Sequence, residues 1–219
     1  MILLAWFSLW IPPSYIEGVI KVAVRLPATI DDVGEYLADV TAIEAAGADA
    51  IWLDDTGLDP WVVLGALAAV THRIGLGCLV SSAGRFQASL LGGSVAALQT
   101  LSRGRIAVGL PPRGKVAGHI AALRQARARI FATAADRASA DGVILEVESA
   151  DQISAAPATH KEVWAAIAIP PDREAWTSVF SAYEAAGATG VMVPWSARLV
   201  DLLRNSEPDD RSDLLMSTG

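Results

Sequence analysis

The chain has 219 residues, 53% of them hydrophobic and 19% charged, with a formal net charge of −7. So acidic a surface repels nucleic acid and anionic membrane at long range, which excludes both as principal partners. The single cysteine, Cys78, excludes an intrachain disulfide. With only three scattered histidines, no metal centre is expected, and a reducing cytoplasm suits the composition.

A chain of this length buries roughly 70% of its unfolded surface, which suits one core. The apolar run Met1–Ile11 has no Lys or Arg before it and no small-x-small cleavage site after it, so it does not read as a signal peptide. Eleven residues are also too few to span a bilayer. Two readings stay open for residues 1–18: an apolar extension that packs on the protein or on a partner, or a start codon placed too early. One domain is expected over 19–205, followed by a polar, acidic, frayed tail at 206–219.

Lys21–Leu26 reads as a first strand, stopped by Pro27. Thr29-Ile-Asp-Asp opens a helix that closes at Gly47. Ala50–Asp54 is the second strand, and Asp59-Pro60 starts a helix that runs to Thr71 or His72. Ile74–Val80, Phe86–Leu101 and Arg105–Leu110 read as strand, helix and strand. Val116–Ala135 reads as one long Ala/Arg helix. Gly142–Val147 and Val163–Ile169 follow as the fifth and sixth strands. Arg173–Ala186 is a helix, Gly190–Val193 a seventh strand and Ala197–Arg204 a last helix.

Two joints repeat. Glu44-Ala-Ala-Gly-Ala and Glu184-Ala-Ala-Gly-Ala each end a helix on a glycine and pass into an apolar strand. Gly47 and Gly187 sit where the chain must reverse through positive φ. Equivalent joints favour an α/β barrel of the TIM type over a doubly wound sheet. Seven strands in residues 19–205 fall short of the usual eight units, so the barrel is expected to be incomplete. Its open edges would then need a helix, an arm or another subunit to cover them.

Several runs carry a family resemblance: Glu44-Ala-Ala-Gly-Ala-Asp-Ala-Ile-Trp-Leu53, Leu67-Ala-Ala-Val-Thr-His-Arg-Ile-Gly-Leu-Gly77, Leu98-Gln-Thr-Leu-Ser-Arg-Gly-Arg-Ile-Ala-Val-Gly-Leu110, Ala140-Asp-Gly-Val-Ile144 and Glu184-Ala-Ala-Gly-Ala188. In this order they resemble the bacterial-luciferase-like family of flavin- and deazaflavin-dependent oxidoreductases and monooxygenases, in a shortened form. The resemblance implies a cofactor, FMN or coenzyme F-420, at the C-terminal ends of the strands. It places the ring over a bulge at the end of the third strand, at Cys78, Leu79 and Val80 with Ser81 and Ser82 behind. As a bare sequence, Gly-Cys-Leu-Val reads equally as a buried strand.

Asp54 and Asp55 end the second strand, where the family carries a polar pair facing substrate; they are the catalytic candidates. Adjacent residues on a strand point to opposite faces, so one of the two is expected to face the mouth and the other to cap the next helix. The family's histidine at this point is absent, because Thr56 follows. His72, His119 and His160 lack any carboxylate or cysteine at ligand spacing.

For an anionic cofactor, Ser196 and Arg198 in Trp-Ser-Ala-Arg are the phosphate candidates, with Arg85, Arg113 and Lys115 as further cations at the mouth. Pro170-Pro171 removes two backbone donors from the preceding loop. Two readings of function remain. One is an oxidoreductase that passes hydride between the cofactor and a small organic substrate. The other is a flavin-binding protein without turnover, similar to the shortened, dimeric non-fluorescent flavoprotein of luminous bacteria. A homodimer is expected in either case.

Overall fold

The computed structural model describes residues 20–204 apart from 28, 113, 135–138 and 156–160. The expected segments at 1–18 and 206–219 therefore lie outside the described residues, as do Arg113 and His160. The strands are β1 Lys21–Arg25, β2 Ala50–Asp54, β3 Gly75–Leu79, β4 Ile106–Leu110, β5 Arg129–Ala132, β6 Gly142–Glu146, β7 Glu162–Ala166 and β8 Gly190–Pro194. All eight are parallel and close into a barrel in sequence order, with β8 pairing back on β1 from Lys21↔Gly190 to Arg25↔Pro194.

The helices are α1 Val33–Ala45, α2 Pro60–Val70, α3 Ala88–Ser102, α4 Ala117–Gln125, α5 Asp151–Ser154, α6 Arg173–Ala185 and α7 Leu199–Arg204. Their starts follow local chemistry. Asp32 accepts from Glu35 N at 2.8 Å, Asp59 from Trp61 N at 2.9 Å ahead of Pro60, and Asp172 from Ala175 N at 2.8 Å. Gly47 and Gly187 take φ of 95° and 98°, as the repeated joints require.

The incomplete, seven-stranded barrel is corrected by this closure. The missing strand is β5, which the sequence hides inside an apparent helix over Val116–Ala135. Helix α4 stops at Gln125 because Arg127, not a glycine, takes the left-handed turn at φ 59°. Gln99 of α3 pins that turn, donating to Arg127 O at 2.9 Å and to Ile106 O at 3.2 Å. Arg129–Ala132 then pairs with Ala107–Leu110 on one side, and Phe131 and Ala132 with Gly142 and Val143 on the other.

The economy in length comes instead from the outer layer. No helix is assigned between β5 and β6 among the described residues, and β6 is followed only by the single turn of α5. A lost strand would expose two hydrogen-bonding edges, whereas a lost covering helix exposes only part of one face.

Alternation along each strand separates two cores. Outward residues such as Val24, Ile51, Cys78, Val80, Val108 and Val191 pack under the helices. Inward residues, among them Trp52, Leu79, Phe131, Ile144, Trp164 and Met192, fill the barrel. Four large inward side chains each sit beside a glycine in register on the next strand: Trp52↔Gly77, Leu79↔Gly109, Phe131↔Gly142 and Trp164↔Gly190. A Cβ at Gly109, Gly142 or Gly190 would stand 2.7, 2.6 or 2.5 Å from the neighbouring side chain.

Candidate active site at the C-terminal mouth

The strand ends on one face carry the polar residues. Arg25, the last residue of β1, reaches over the barrel. Its Nε and NH2 donate to Asp54 Oδ2 and Oδ1 at 2.9 and 2.8 Å, and its NH1 donates to Glu146 Oε1 at 2.9 Å. One guanidinium thus ties β1 to β2 beside it and to β6 across the mouth. The hydrogen bond to Asp54 raises the pKa of Arg25 in spite of partial burial.

A cleft of about 1130 Å³ opens next to this cluster over the ends of β6, β7 and β8. Ala166, Ala168, Met192 and Pro194 line it with small or apolar surface, and Tyr183 and Val179 of α6 form its outer wall. The short α5 leaves this side open. Burial of Tyr183 raises its phenol pKa above the ordinary value.

The two catalytic candidates separate as alternation demands. Asp54 faces the mouth, with both carboxylate oxygens accepting from Arg25. Asp55 is fully buried on the outer side. It does not cap α2, a task that falls to Asp59; its Oδ2 accepts from Ser81 N at 3.1 Å and lies 3.7 Å from Arg85 Nε. Asp55 therefore fixes the loop after β3.

Of the proposed ring platform, Leu79 alone points into the barrel; Cys78 and Val80 belong to the outer core. Register runs unbroken to Leu79 against both Asp54 and Gly109, so β3 ends as regular strand. Burial, with Asp55 and Asp54 nearby, pushes the Cys78 thiol far up, so it is a packing residue. Ser81 is exposed on the loop that Asp55 holds.

Arg198 lies at the rim, its NH1 donating to Pro171 O at 3.0 Å across the loops after β7 and β8. Ser196 sits in the same segment, its carbonyl accepting from Leu199 N at 2.8 Å. His119 is buried, with Nε2 2.8 Å from Phe86 O, and His72 uses its backbone N–H on Glu44. Neither reaches the mouth. Among the described residues no cluster of His, Cys, Asp or Glu could hold a metal ion, and no helix is long and apolar enough to cross a membrane.

Arg25 and Glu146 escaped sequence reasoning. Alternation from Ala23 marks Arg25 as inward, but its two carboxylate partners lie 29 and 121 residues away.

An eight-stranded parallel barrel with its polar groups and an open cleft at the C-terminal ends of the strands has the (β/α)₈ barrel architecture. Residues 19–115 match the luciferase-like monooxygenase family, so the family resemblance is borne out in that part of the chain. No curated protein matches the sequence significantly.

Solved structures agree on the fold. The coenzyme F-420-dependent tetrahydromethanopterin reductase of Methanopyrus kandleri is similar with a TM-score of 0.66 at 12% identity, over 85% of this chain and 96% of that one. An F-420-dependent secondary alcohol dehydrogenase gives 0.68 at 10% identity, over 85% and 97%. The tryptophan synthase α-subunit of Pyrococcus furiosus gives 0.60 at 14% identity, over 83% and 89%. The last shows how widely this barrel is shared.

Proposed function

We propose that the protein is a shortened luciferase-like oxidoreductase that binds FMN or coenzyme F-420 and acts on a small organic substrate. The observation that carries this reading is the match of residues 19–115 to the family, in a barrel whose cleft opens at the C-terminal face. When bound, the flavin or deazaflavin supplies the hydride chemistry. The chain's own residues suit such a group: the apolar lining at Ala166, Ala168 and Met192 takes a planar ring, and Arg198 meets an anionic tail at the rim. Leu79, which the family resemblance sets under the ring, faces the barrel interior on β3 and does not line this cleft. Asp54 and Glu146, fixed by Arg25, accept hydrogen bonds from substrate hydroxyl or amine groups. A titration of the purified protein with FMN and with coenzyme F-420, followed by absorption and fluorescence, tests the reading. Saturable binding of one of them supports it, and binding of neither overturns it.

One observation favours a second reading, a flavin-binding protein without turnover. Asp54 and Arg25 at the mouth are engaged with each other, and neither His72 nor His119 reaches it. Reduction of a bound cofactor in single turnover separates the two.

A homodimer belongs to the same proposal, although its original motive, an open sheet edge, is gone. Helices α2 and α3 carry no charged residue in a chain of net charge −7, and they expose Val62, Leu90 and Leu101. On this face a second acidic copy meets the least local charge repulsion.

A further inference from the structure

The joint that ends α1 and α6 occurs a third time, at the end of α4. Glu44-Ala-Ala-Gly-Ala48 and Glu184-Ala-Ala-Gly-Ala188 become Arg124-Gln-Ala-Arg-Ala128. The backbone is the same in all three. Gly47 N, Gly187 N and Arg127 N donate to the carbonyls of Glu44, Glu184 and Arg124 at 3.1, 2.9 and 3.0 Å, with φ of 95°, 98° and 59°. A Cβ is penalised in this conformation, so two of the joints use glycine. The third carries an exposed arginine. A cation complements the end of a helix, but Arg124 already supplies one in the last turn of α4. Strain kept at one copy of a repeated joint marks a residue retained for another purpose.

Arg127 lines a surface cavity of about 650 Å³ at the N-terminal ends of β5, β6 and β7, where Ala128 and Ala140 leave room. Arg124, Arg129 and Lys161 line it too, with Asp141 and Glu162. Arg124 NH1 lies 2.7 Å from Asp141 Oδ2 and Arg129 NH2 2.6 Å from Glu162 Oε2. Lys21 lies 4.0 Å from Glu162 and also faces Asp49. Asp49, Asp141 and Glu162 thus balance Lys21, Arg124 and Arg129. Arg127 and Lys161 come on top of that balance. Both are exposed, and neither has an ion-pair partner among the described residues. Gln99 donates to Arg127 O at 2.9 Å, so the backbone that carries this guanidinium is fixed from α3.

We propose that this cavity binds a phosphate monoester, whose dianion meets the guanidinium of Arg127 and the ammonium of Lys161. Two unmatched cations suit a group with about two negative charges and three acceptor oxygens better than a carboxylate with one charge. The site lies at the opposite end of the barrel from the cleft and shares no residue with it. It therefore stands whether or not the oxidoreductase reading holds.

Calorimetric titration of the full chain at low ionic strength with phenyl phosphate, and with benzoate as the carboxylate on the same ring, tests it. The expected result is saturable binding of phenyl phosphate, about tenfold or more tighter than benzoate. Arg127→Gly gives the joint the residue of its two sister copies. It should melt no lower than wild type and yet weaken phenyl phosphate by about tenfold. Lys161→Gln is expected to weaken it equally, and Arg198→Ala, at the other face, to leave this binding unchanged. Absence of saturable binding, equal binding of benzoate, or full affinity in Arg127→Gly overturns the proposal. A loss in Arg198→Ala with none in Arg127→Gly places the phosphate in the cleft and overturns it as well.

Discussion

The indole of Trp164 on β7 occupies the space that Gly190 leaves on β8. The two are in register, and a Cβ at position 190 would stand 2.5 Å from Trp164 Cε3. Neither partner can shift cheaply, because one is backbone and the other a rigid ring in a filled barrel. Gly190→Ala is expected to cost about 1–3 kcal/mol, read as a lower midpoint in urea unfolding. Gly93 on α3 offers the contrast, since nothing lies within 4 Å of its missing Cβ. Gly93→Ala is expected to stabilise by about 0.5–1 kcal/mol through helix propensity.

Gly47 joins α1 to β2 at φ 95° with open space around it, so its requirement is conformational alone. Gly47→Val is expected to cost about 1–3 kcal/mol, while cofactor affinity in the folded fraction stays unchanged. Thermal melting and a binding titration on the same sample check both parts.

Glu162 sets an acid limb. Burial pushes its pKa up, but Arg129 and Lys21 outweigh burial and hold it below the ordinary 4.5. A lowered folded pKa contributes stability that is complete above the unfolded value and is lost as pH falls through the folded one. In Glu162→Gln the deficit relative to wild type should therefore be constant near neutrality and shrink progressively below pH 4.5. A deficit that grew on acidification would contradict the assignment.

Arg198 and Arg25 differ in what they hold. Arg198 is exposed and reaches Pro171 O, so Arg198→Ala should weaken the anionic cofactor by about tenfold and leave the melting temperature nearly unchanged. Arg25→Met removes the shared partner of Asp54 and Glu146, two carboxylates that then face each other over the mouth. It should lower stability by about 1–3 kcal/mol, with recovery when Glu146→Gln is added. The double-mutant comparison in urea unfolding reads this directly.

Val62 stands in the uncharged face of α2 and α3 and is 72% exposed. Val62→Glu is expected to convert a dimer into a monomer in light scattering after size exclusion, with the far-ultraviolet spectrum retained. A wild-type monomer at micromolar concentration would remove the homodimer.

Seven of the eight strands and the chain order of the barrel are legible in the sequence, because their signals are local. Asp59-Pro60, Gly47 and Gly187 act on residues within a turn of themselves, and alternation separates Asp54 from Asp55 before any coordinates exist. Strand β5 is not legible, because its helix ends on Arg127 and the residue that makes this ending possible, Gln99, lies 28 positions away. The cluster at the mouth fails for the same reason. Arg25 is an ordinary strand residue until closure of the barrel brings Asp54 and Glu146 within 3 Å of it. The sequence alone determined a parallel α/β barrel and the resemblance of residues 19–115 to the luciferase-like family. Only the tertiary structure decided that the barrel closes with eight strands, that the saving falls on its helices, and which charges meet. Closure, outer cover and charge pairing are properties of the whole cylinder, and no short window of residues contains them.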